Sequence, residues 1–276
     1  MQDVTTIQAI ALGVIQGLTE FLPVSSSGHL VLFSQLFGVQ QSSLVFEIMV
    51  HVGTLVAVLV ALRSEVMVMI TSFLTLVQNP KRAGQLMKED AGCRLLVALV
   101  VGTLPAVAVA FLLKDRIEQL FSSSLFVGSM LIVTGTILYL TERSRGRSKG
   151  LAKLSTTDAL VIGLGQAVAI VPGISRSGTT IAMGLFRGLN RESAARFSFL
   201  LAIPAILGAL VFSLDDVLQG TVSLGWGTLS AGFLAAAITG FMGIRFLLDL
   251  VQKGKLVWFS YYTWLVGVLV VVLHLA

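Results

Sequence analysis

Two stretches of this 276-residue chain hold most of the side chains able to do chemistry. The first, QGLTEFLPVSSSGH, brings Gln16, Glu20, Ser25, Ser26, Ser27 and His29 together. The second, PGISRSGTT, sets Arg176 among Ser175, Ser177, Thr179 and Thr180, behind Pro172 and Gly173. Arginine offers a planar fork of donors that suits phosphate oxygens. Hydroxyls and glycine-rich backbone N–H groups ahead of a short helix also favour an anion. Gln16 and Glu20 stand four residues apart, on one helix face. A carboxylate and an amide oxygen there can hold a hard divalent cation that also touches phosphate. Ser26 or Ser27 can act as a nucleophile beside a base, and His29 as acid, base or nucleophile. Each feature also has a plainer reading. Glu20 and Arg176 could be a structural ion pair, Gln16 a helix-packing contact and one of the serines a helix cap.

The elements that must hold these residues follow from composition. The chain is 55% hydrophobic and 12% charged, with a mean hydropathy of +0.93. Soluble domains carry about twice that share of charge, so an integral membrane protein is expected. The net charge of +5 comes from cations clustered between apolar runs, which points to cytoplasmic loops and not to nucleic acid. A single cysteine, Cys93, excludes an intramolecular disulfide and a CxxC metal site. With Asp3 where a leader would be basic, no cleavable signal peptide is expected.

Six runs are read as transmembrane helices: Phe46–Leu62, Leu95–Leu113, Leu125–Leu140, Phe197–Leu214, Leu229–Val251 and Val257–Leu275. Ile7–Leu22 and Ala159–Val171 are too short to cross. Each ends at a proline and a Ser/Gly-rich turn, then resumes as a short apolar piece. These are predicted to be re-entrant helical hairpins whose turns lie around a buried polar cavity. Val66–Val77 is placed on the cytoplasmic surface. This layout puts 16 of the 19 Lys/Arg inside and both termini outside. Glu47 is placed near the cavity, His51 is read as a packing residue or one that supports a residue of the site, and His274 as interfacial.

Shifting the sequence by 150 positions superposes Gly13, Gln16, Ser25, Ser27, Gly28 and Gly38 on Gly163, Gln166, Ser175, Ser177, Gly178 and Gly188. Each half then holds one hairpin and three spans. An odd span count inverts the second half, an arrangement that transporters also use. The fold expected is an all-α integral membrane protein with two inverted-topology repeats in one domain. The repeats cover about 1–142 and 158–276, joined by a basic linker at 143–157.

QGLTEFLPVSSSGH and PGISRSGTT together resemble the undecaprenyl-diphosphatase family of bacitracin-resistance membrane phosphatases. Gln16 and Glu20 match its Glu/Gln-x-x-x-Glu signature. Pro172, Gly173, Ser175, Arg176, Ser177 and Thr180 match its PGxSRSxxT signature. The resemblance implies hydrolysis of undecaprenyl diphosphate to undecaprenyl phosphate and inorganic phosphate in the bacterial inner membrane. It implies a divalent metal, Mg2+ or Ca2+, as cofactor. Many members carry Glu where Gln16 stands, which leaves Glu20 as the metal ligand, with help from Gln16, or as the general base. Bacitracin would act indirectly, by competing for the lipid, and a homodimer is one possible assembly. Phosphate binding falls to Arg176 with Gly173, Ser175, Ser177, Thr180 and Ser27. For the chemical step, Ser26 or His29 attacks phosphorus, or His29 assists water or protonates the leaving group. The type 2 phosphatidic-acid phosphatases share an SGH element, but the histidine their later signature requires is Ala182 here. The rival from another class is a lipid-carrier flippase or small-anion transporter.

Overall fold

The computed structural model describes residues 4–39, 44–142, 148–213 and 224–275. Arg143, Arg145 and Arg147 of the basic linker, and Asp215 and Asp216, lie outside the described residues, as does Asp3. Among the described residues the chain is helical, without a strand. A short pair, α1 (Thr6–Phe21) and α2 (Ser26–Leu36), is followed by α3 (Leu44–Ala61), α4 (Arg63–Gln78) and α5 (Ala83–Glu89). Then come α6 (Ala91–Leu120) and α7 (Ser124–Thr141). A second short pair, α8 (Thr156–Val168) and α9 (Arg176–Phe186), leads into α10 (Arg191–Phe212), α11 (Trp226–Gln252) and α12 (Val257–Leu275).

Six helices are long and apolar enough to cross a membrane: α3, α6, α7, α10, α11 and α12. They coincide with the six runs read from the sequence. The remaining helices fall short. At about 1.5 Å per residue, α1 reaches roughly 24 Å and α2, α8 and α9 roughly 17–20 Å, against a hydrocarbon core near 30 Å. α4 leaves Met67, Ile70, Phe73 and Leu74 about half exposed and buries only Ser72.

Lipid tails are as apolar as leucine, so helices in a membrane associate through close packing and not through a hydrophobic force. Glycines supply the approach. A Cβ on Gly17 of α1 would lie 2.1 Å from Thr239 Oγ1 on α11. One on Gly53 of α3 would lie 2.5 Å from the Phe233 carbonyl of α11, and one on Gly163 of α8 would lie 2.4 Å from the Gly102 carbonyl of α6. α7 and α12 close in the same way, with Gly135 against Trp264.

At the base of α8, Ser155 and Asp158 form a capping box, and Asp158 also pairs with Lys149 and Arg187. Burial works to raise the Asp158 pKa. The hydrogen bonds from Lys149, Ser155 and Arg187 outweigh it and hold the carboxyl well below the usual carboxylate range.

Two expectations follow. Gly163→Val must push α8 off α6 and should cost roughly 1–3 kcal/mol of stability. In detergent this would appear as a lower melting temperature, whereas Gly84→Ala, whose Cβ meets nothing within 4 Å, should leave melting unchanged. Asp158→Asn should lower the melting temperature at pH 6. Because the folded pKa is depressed, its stabilisation is present above the unfolded carboxylate range near pH ~4 and is lost as pH falls through the folded value. The gap between wild type and variant should therefore narrow as pH drops below about 4, and a gap that stays constant would show that the charge contributes nothing.

Candidate active site

The two turns that join the short helix pairs touch each other. Ser177 Oγ donates to the Leu22 carbonyl at 3.0 Å. A Cβ on Gly28 would stand 3.4 Å from Gly173 Cα, and one on Gly178 3.3 Å from Pro23 Cβ. Their local chemistry is the same. Ser25 and Ser175 are the N-caps of α2 and α9, and accept from the Gly28 and Gly178 N–H groups at 3.3 and 3.1 Å. Each pairs with the hydroxyl two residues on, Ser27 at 3.3 Å and Ser177 at 3.2 Å. The turns differ in backbone. Ser25 sits at φ +71°, a region that costs a non-glycine residue about 1–3 kcal/mol. In the second turn positive φ falls on Gly173, at +91°, which bears it without a Cβ.

The first residue of each following helix reaches one carboxylate. Ser26 Oγ donates to Glu20 Oε2 at 2.6 Å, and Arg176 Nη2 donates to Glu20 Oε1 at 2.9 Å. Gln16, one turn before Glu20, donates from Nε2 to Oε2 at 2.9 Å. Glu20 is 6% exposed. Arg176 also donates to the Ser198 carbonyl at 3.3 Å. Those two bonds use two of its five N–H donors.

These groups form the polar end of a cavity of about 1080 Å³. Glu20, Ser25, Ser26, Ser27, His51, Gln166 and Arg176 line that end. Most of the rest of the wall comes from α6, from Thr103 onward, and α10, from Pro204 onward, with Leu44 of α3 and Ala169, Ile170 and Ile174 of the second turn, and is largely apolar. Lys114 stands on the α6 side, one residue past a break in helical geometry at Leu113.

The structure thus brings Glu20, Ser26, Ser27 and Arg176 together. It does not bring His29 to them. His29 is buried outside the cavity lining, with Nδ1 on the Ser25 carbonyl and Nε2 on the Tyr262 hydroxyl, both at 2.8 Å. A carbonyl accepts only, so Nδ1 carries the proton and the Nε2 lone pair is taken by Tyr262. Ser175, Ser177 and Thr180 are each about 1% exposed and bonded inward. Thr180 Oγ1 meets Ser198 Oγ at 2.6 Å, and Thr134 Oγ1 accepts from the Ser175 N–H at 3.0 Å and donates to the Gly173 carbonyl at 2.9 Å. These residues, with Gly173, shape the turn that carries Arg176 and do not line the cavity.

Sequence reasoning missed two lining residues. His51, expected to pack or to support a residue of the site, lines the cavity itself, with Nδ1 anchored on the Glu47 carbonyl at 2.7 Å. Glu47 itself is absent from the lining and serves through that carbonyl. Gln166, seen only as the repeat partner of Gln16, donates to the Gly102 carbonyl at 3.3 Å. Its polar type in an apolar segment was the available signal.

Among the described residues no three His, Cys, Asp or Glu side chains cluster to hold a metal. Gln16 Oε1 is nevertheless buried beside Glu20 with no hydrogen-bond partner among the described residues. A carboxylate and an orphaned amide oxygen are hard donors and fit a divalent ion whose other ligands are phosphate oxygens or water.

The chain is similar to known proteins over nearly its whole length. The chain is 44% identical over 272 residues to an undecaprenyl-diphosphatase of Carboxydothermus hydrogenoformans, covering 98% of this chain and 97% of that one. It is 46% identical over 271 residues to an undecaprenyl-diphosphatase of Methanobrevibacter smithii, covering 96% of each. A third, from Desulforapulum autotrophicum, is 45% identical over 269 residues, covering 96% of this chain and 97% of that one. Residues 9–269 match the family model described as bacitracin resistance protein BacA. With six apolar spans around a buried Ser–Glu–Arg site, this chain is a multi-pass membrane protein and belongs to the BacA family.

Proposed function

We propose that this protein is a membrane phosphatase that hydrolyses undecaprenyl diphosphate to undecaprenyl phosphate and inorganic phosphate, returning the lipid carrier to cell-wall synthesis. The observation that carries this reading is Glu20. One buried carboxylate accepts from a hydroxyl and a guanidinium at the polar end of a cavity with apolar walls.

The division of labour follows from the contacts. Arg176 moves its free donors onto the terminal phosphate oxygens and offsets charge as the P–O bond breaks. Ser26 Oγ bonds to the terminal phosphorus while Glu20, already its hydrogen-bond acceptor, takes its proton. The bond from that phosphorus to the bridging oxygen breaks, and undecaprenyl phosphate leaves with the electron pair. Glu20 passes that proton to the departing undecaprenyl phosphate; water then attacks the phosphorus, its proton goes to Glu20 and on to Ser26 Oγ as the Ser26 O–P bond breaks, and phosphate is released. His29 braces α2 against α12 through Tyr262. Ser27 lines the cavity beside Ser26, and Ser175, Ser177, Thr180 and Gly173 fix the turn behind Arg176. Glu20 and Gln16 would hold a divalent ion such as Mg2+ or Ca2+, which supplies Lewis-acid charge neutralisation when bound.

The architecture we propose is a single domain of two inverted repeats, each with a re-entrant hairpin, in the bacterial inner membrane with both termini outside. The matching caps at Ser25 and Ser175, the contact between the turns and the cation distribution support it.

Purified protein in detergent, given undecaprenyl diphosphate and Mg2+, should release phosphate. Glu20→Gln and Arg176→Ala should reduce release by about 10²–10³ or more without loss of folded protein. Absence of release across metals and pH would sink the reading. Substrate labelled in its terminal phosphate should leave trapped label on Ser26, and Ser26→Ala should lose it; label on His29 would move the attack there. Chelation should stop turnover. Gln16→Ala should raise the Mg2+ concentration for half-maximal rate roughly ten-fold, in line with the cost of losing a supporting ligand. An unchanged metal requirement would remove Gln16 from the metal site.

A further inference from the structure

Two imidazoles of this chain are anchored in the same way. His29 Nδ1 meets the Ser25 carbonyl at 2.8 Å and His51 Nδ1 meets the Glu47 carbonyl at 2.7 Å, each four residues back along its own chain segment. A carbonyl only accepts, so in the neutral ring both Nδ1 atoms carry the proton and both Nε2 atoms keep a lone pair. There the two rings part. The Nε2 of His29 is taken by the Tyr262 hydroxyl at 2.8 Å, away from the cavity lining. No hydrogen bond among the described residues takes the Nε2 of His51, and His51 lines the cavity. Its ring also stands close enough to Glu20 to act on the carboxylate electrostatically.

That lone pair calls for a donor. Ionised phosphate oxygens are acceptors and repel it. The Ser26 hydroxyl already donates to Glu20 at 2.6 Å, and Arg176 donates to Glu20 and to the Ser198 carbonyl. A hard ion such as Mg2+ or Ca2+ prefers oxygen ligands to imidazole. Water remains, and the second half of the reaction consumes one. A water that attacks phosphorus carries two hydrogens. One leaves through Glu20, and the other must be directed so that a lone pair faces the phosphorus. An acceptor that orients the attacking water is a recurrent device of phosphoryl transfer.

We propose that His51 positions the water that hydrolyses the Ser26 phosphoester, an assignment that rests on the hydrolase reading above. Its Nε2 accepts from one O–H of the water, whose oxygen bonds to phosphorus. The bond from phosphorus to Ser26 Oγ breaks, and the water's other proton passes through Glu20 to Ser26 Oγ. The hydrogen that faced His51 stays on its oxygen and departs with phosphate. His51 gains and loses no proton in this step, so it acts by orientation alone. Any acceptor at the same place would serve. Methanol, with a single O–H to give to Glu20, would turn its methyl group toward the ring and be disfavoured.

The test uses the full chain in detergent with undecaprenyl diphosphate, Mg2+ and methanol as a competing nucleophile. The wild type should form phosphate in preference to methyl phosphate by at least about ten-fold per mole of nucleophile. His51→Leu should keep the rate of Ser26 labelling within about two-fold, slow phosphate release about ten-fold and accumulate labelled Ser26. Its ratio of methyl phosphate to phosphate should rise about ten-fold. His51→Gln, which restores an acceptor, should recover most of both effects. Labelling and release that fall together with an unchanged ratio would overturn the proposal, because lost packing alone does that. So would a raised KM with an unchanged ratio, which makes His51 a phosphate contact, or a raised Mg2+ requirement, which makes it a metal ligand. If His51→Leu does not fold, the wild type's preference for water decides alone, and equal use of the two nucleophiles sinks the idea. No phosphate release from the wild type removes the hydrolase reading and this proposal with it. Release with an unchanged ratio in His51→Leu removes the proposal and keeps the hydrolase.

Discussion

The contact between Glu20 and Arg176 spans 156 positions of sequence and ties one short helix pair to the other. Charges buried at membrane depth are costly to desolvate, by several kcal/mol per ion even after relaxation. Neither can be left alone, so the helices that carry them must end at the same place. That demand accounts for much of the bundle. α1 runs down a glycine-lined path on α11, and α8 runs along another on α6. Both stop short, because a helix that continued across would carry Glu20 or Arg176 away from its partner. Gln16 and Ser26 add two further hydrogen bonds to the carboxylate, and the Ser198 carbonyl takes one of the donors left on the guanidinium.

The two turns reach this meeting point with the same frame and different cargo. Ser26 and Arg176 each open the helix behind a capping serine, 150 positions apart, and each extends to Glu20. A capping serine that aims the first helical side chain at one point needs only a change of residue type there to place a hydroxyl on one side and a cation on the other. The serines that cap serve the turns themselves, since Ser25 and Ser175 accept from backbone N–H groups. Ser25 alone holds φ +71°, in the turn that presents the hydroxyl. Residues in such a region persist only where their surroundings over-determine them, and here the Ser25 carbonyl is held by both the backbone N–H and the imidazole of His29.

Much of this was legible in the sequence because its signals are local. Span length and hydropathy located all six long helices, and the shortness of α1 and α8, each closed by a proline turn, located the site. Gln16, Glu20, Ser26 and Arg176 stood out because polar atoms in apolar segments need a reason. What was not legible depends on rotation about helix axes. His29 and Ser26 sit three residues apart in one turn, and only packing decides that one faces the cavity while the other is clamped between Ser25 and Tyr262. Ser177 and Thr180 carry the same hydroxyls whether they face phosphate or a backbone carbonyl. His51 falls on α3 amid apolar residues, and its exposure to the cavity comes from the position of α10, far away in sequence. The cavity itself lies between α6 and α10, two helices with no distinguishing motif.

Those two helices do share one feature, an internal proline at Pro105 and Pro204. Proline removes a backbone N–H and crowds the carbonyl four residues earlier, Val101 on α6 and Leu200 on α10. Pro204 lines both the cavity and a smaller apolar one of about 310 Å³ beside it, whereas α6 still closes on α8 through its Gly102 face. The bundle therefore has two kinds of boundary. Glycine-lined contacts hold α1 and α3 on α11, and α8 on α6, at distances too small for any ligand. The proline-bearing pair stays apart around Thr103, Pro204 and Leu207, where both cavities meet. In a solvent that exerts no hydrophobic pressure on helices, shape alone decides which contacts close. Small residues close α1 and α3 on α11 and α8 on α6, and the apolar wall of the cavity beside the Glu20–Arg176 pair falls largely to α6 and α10.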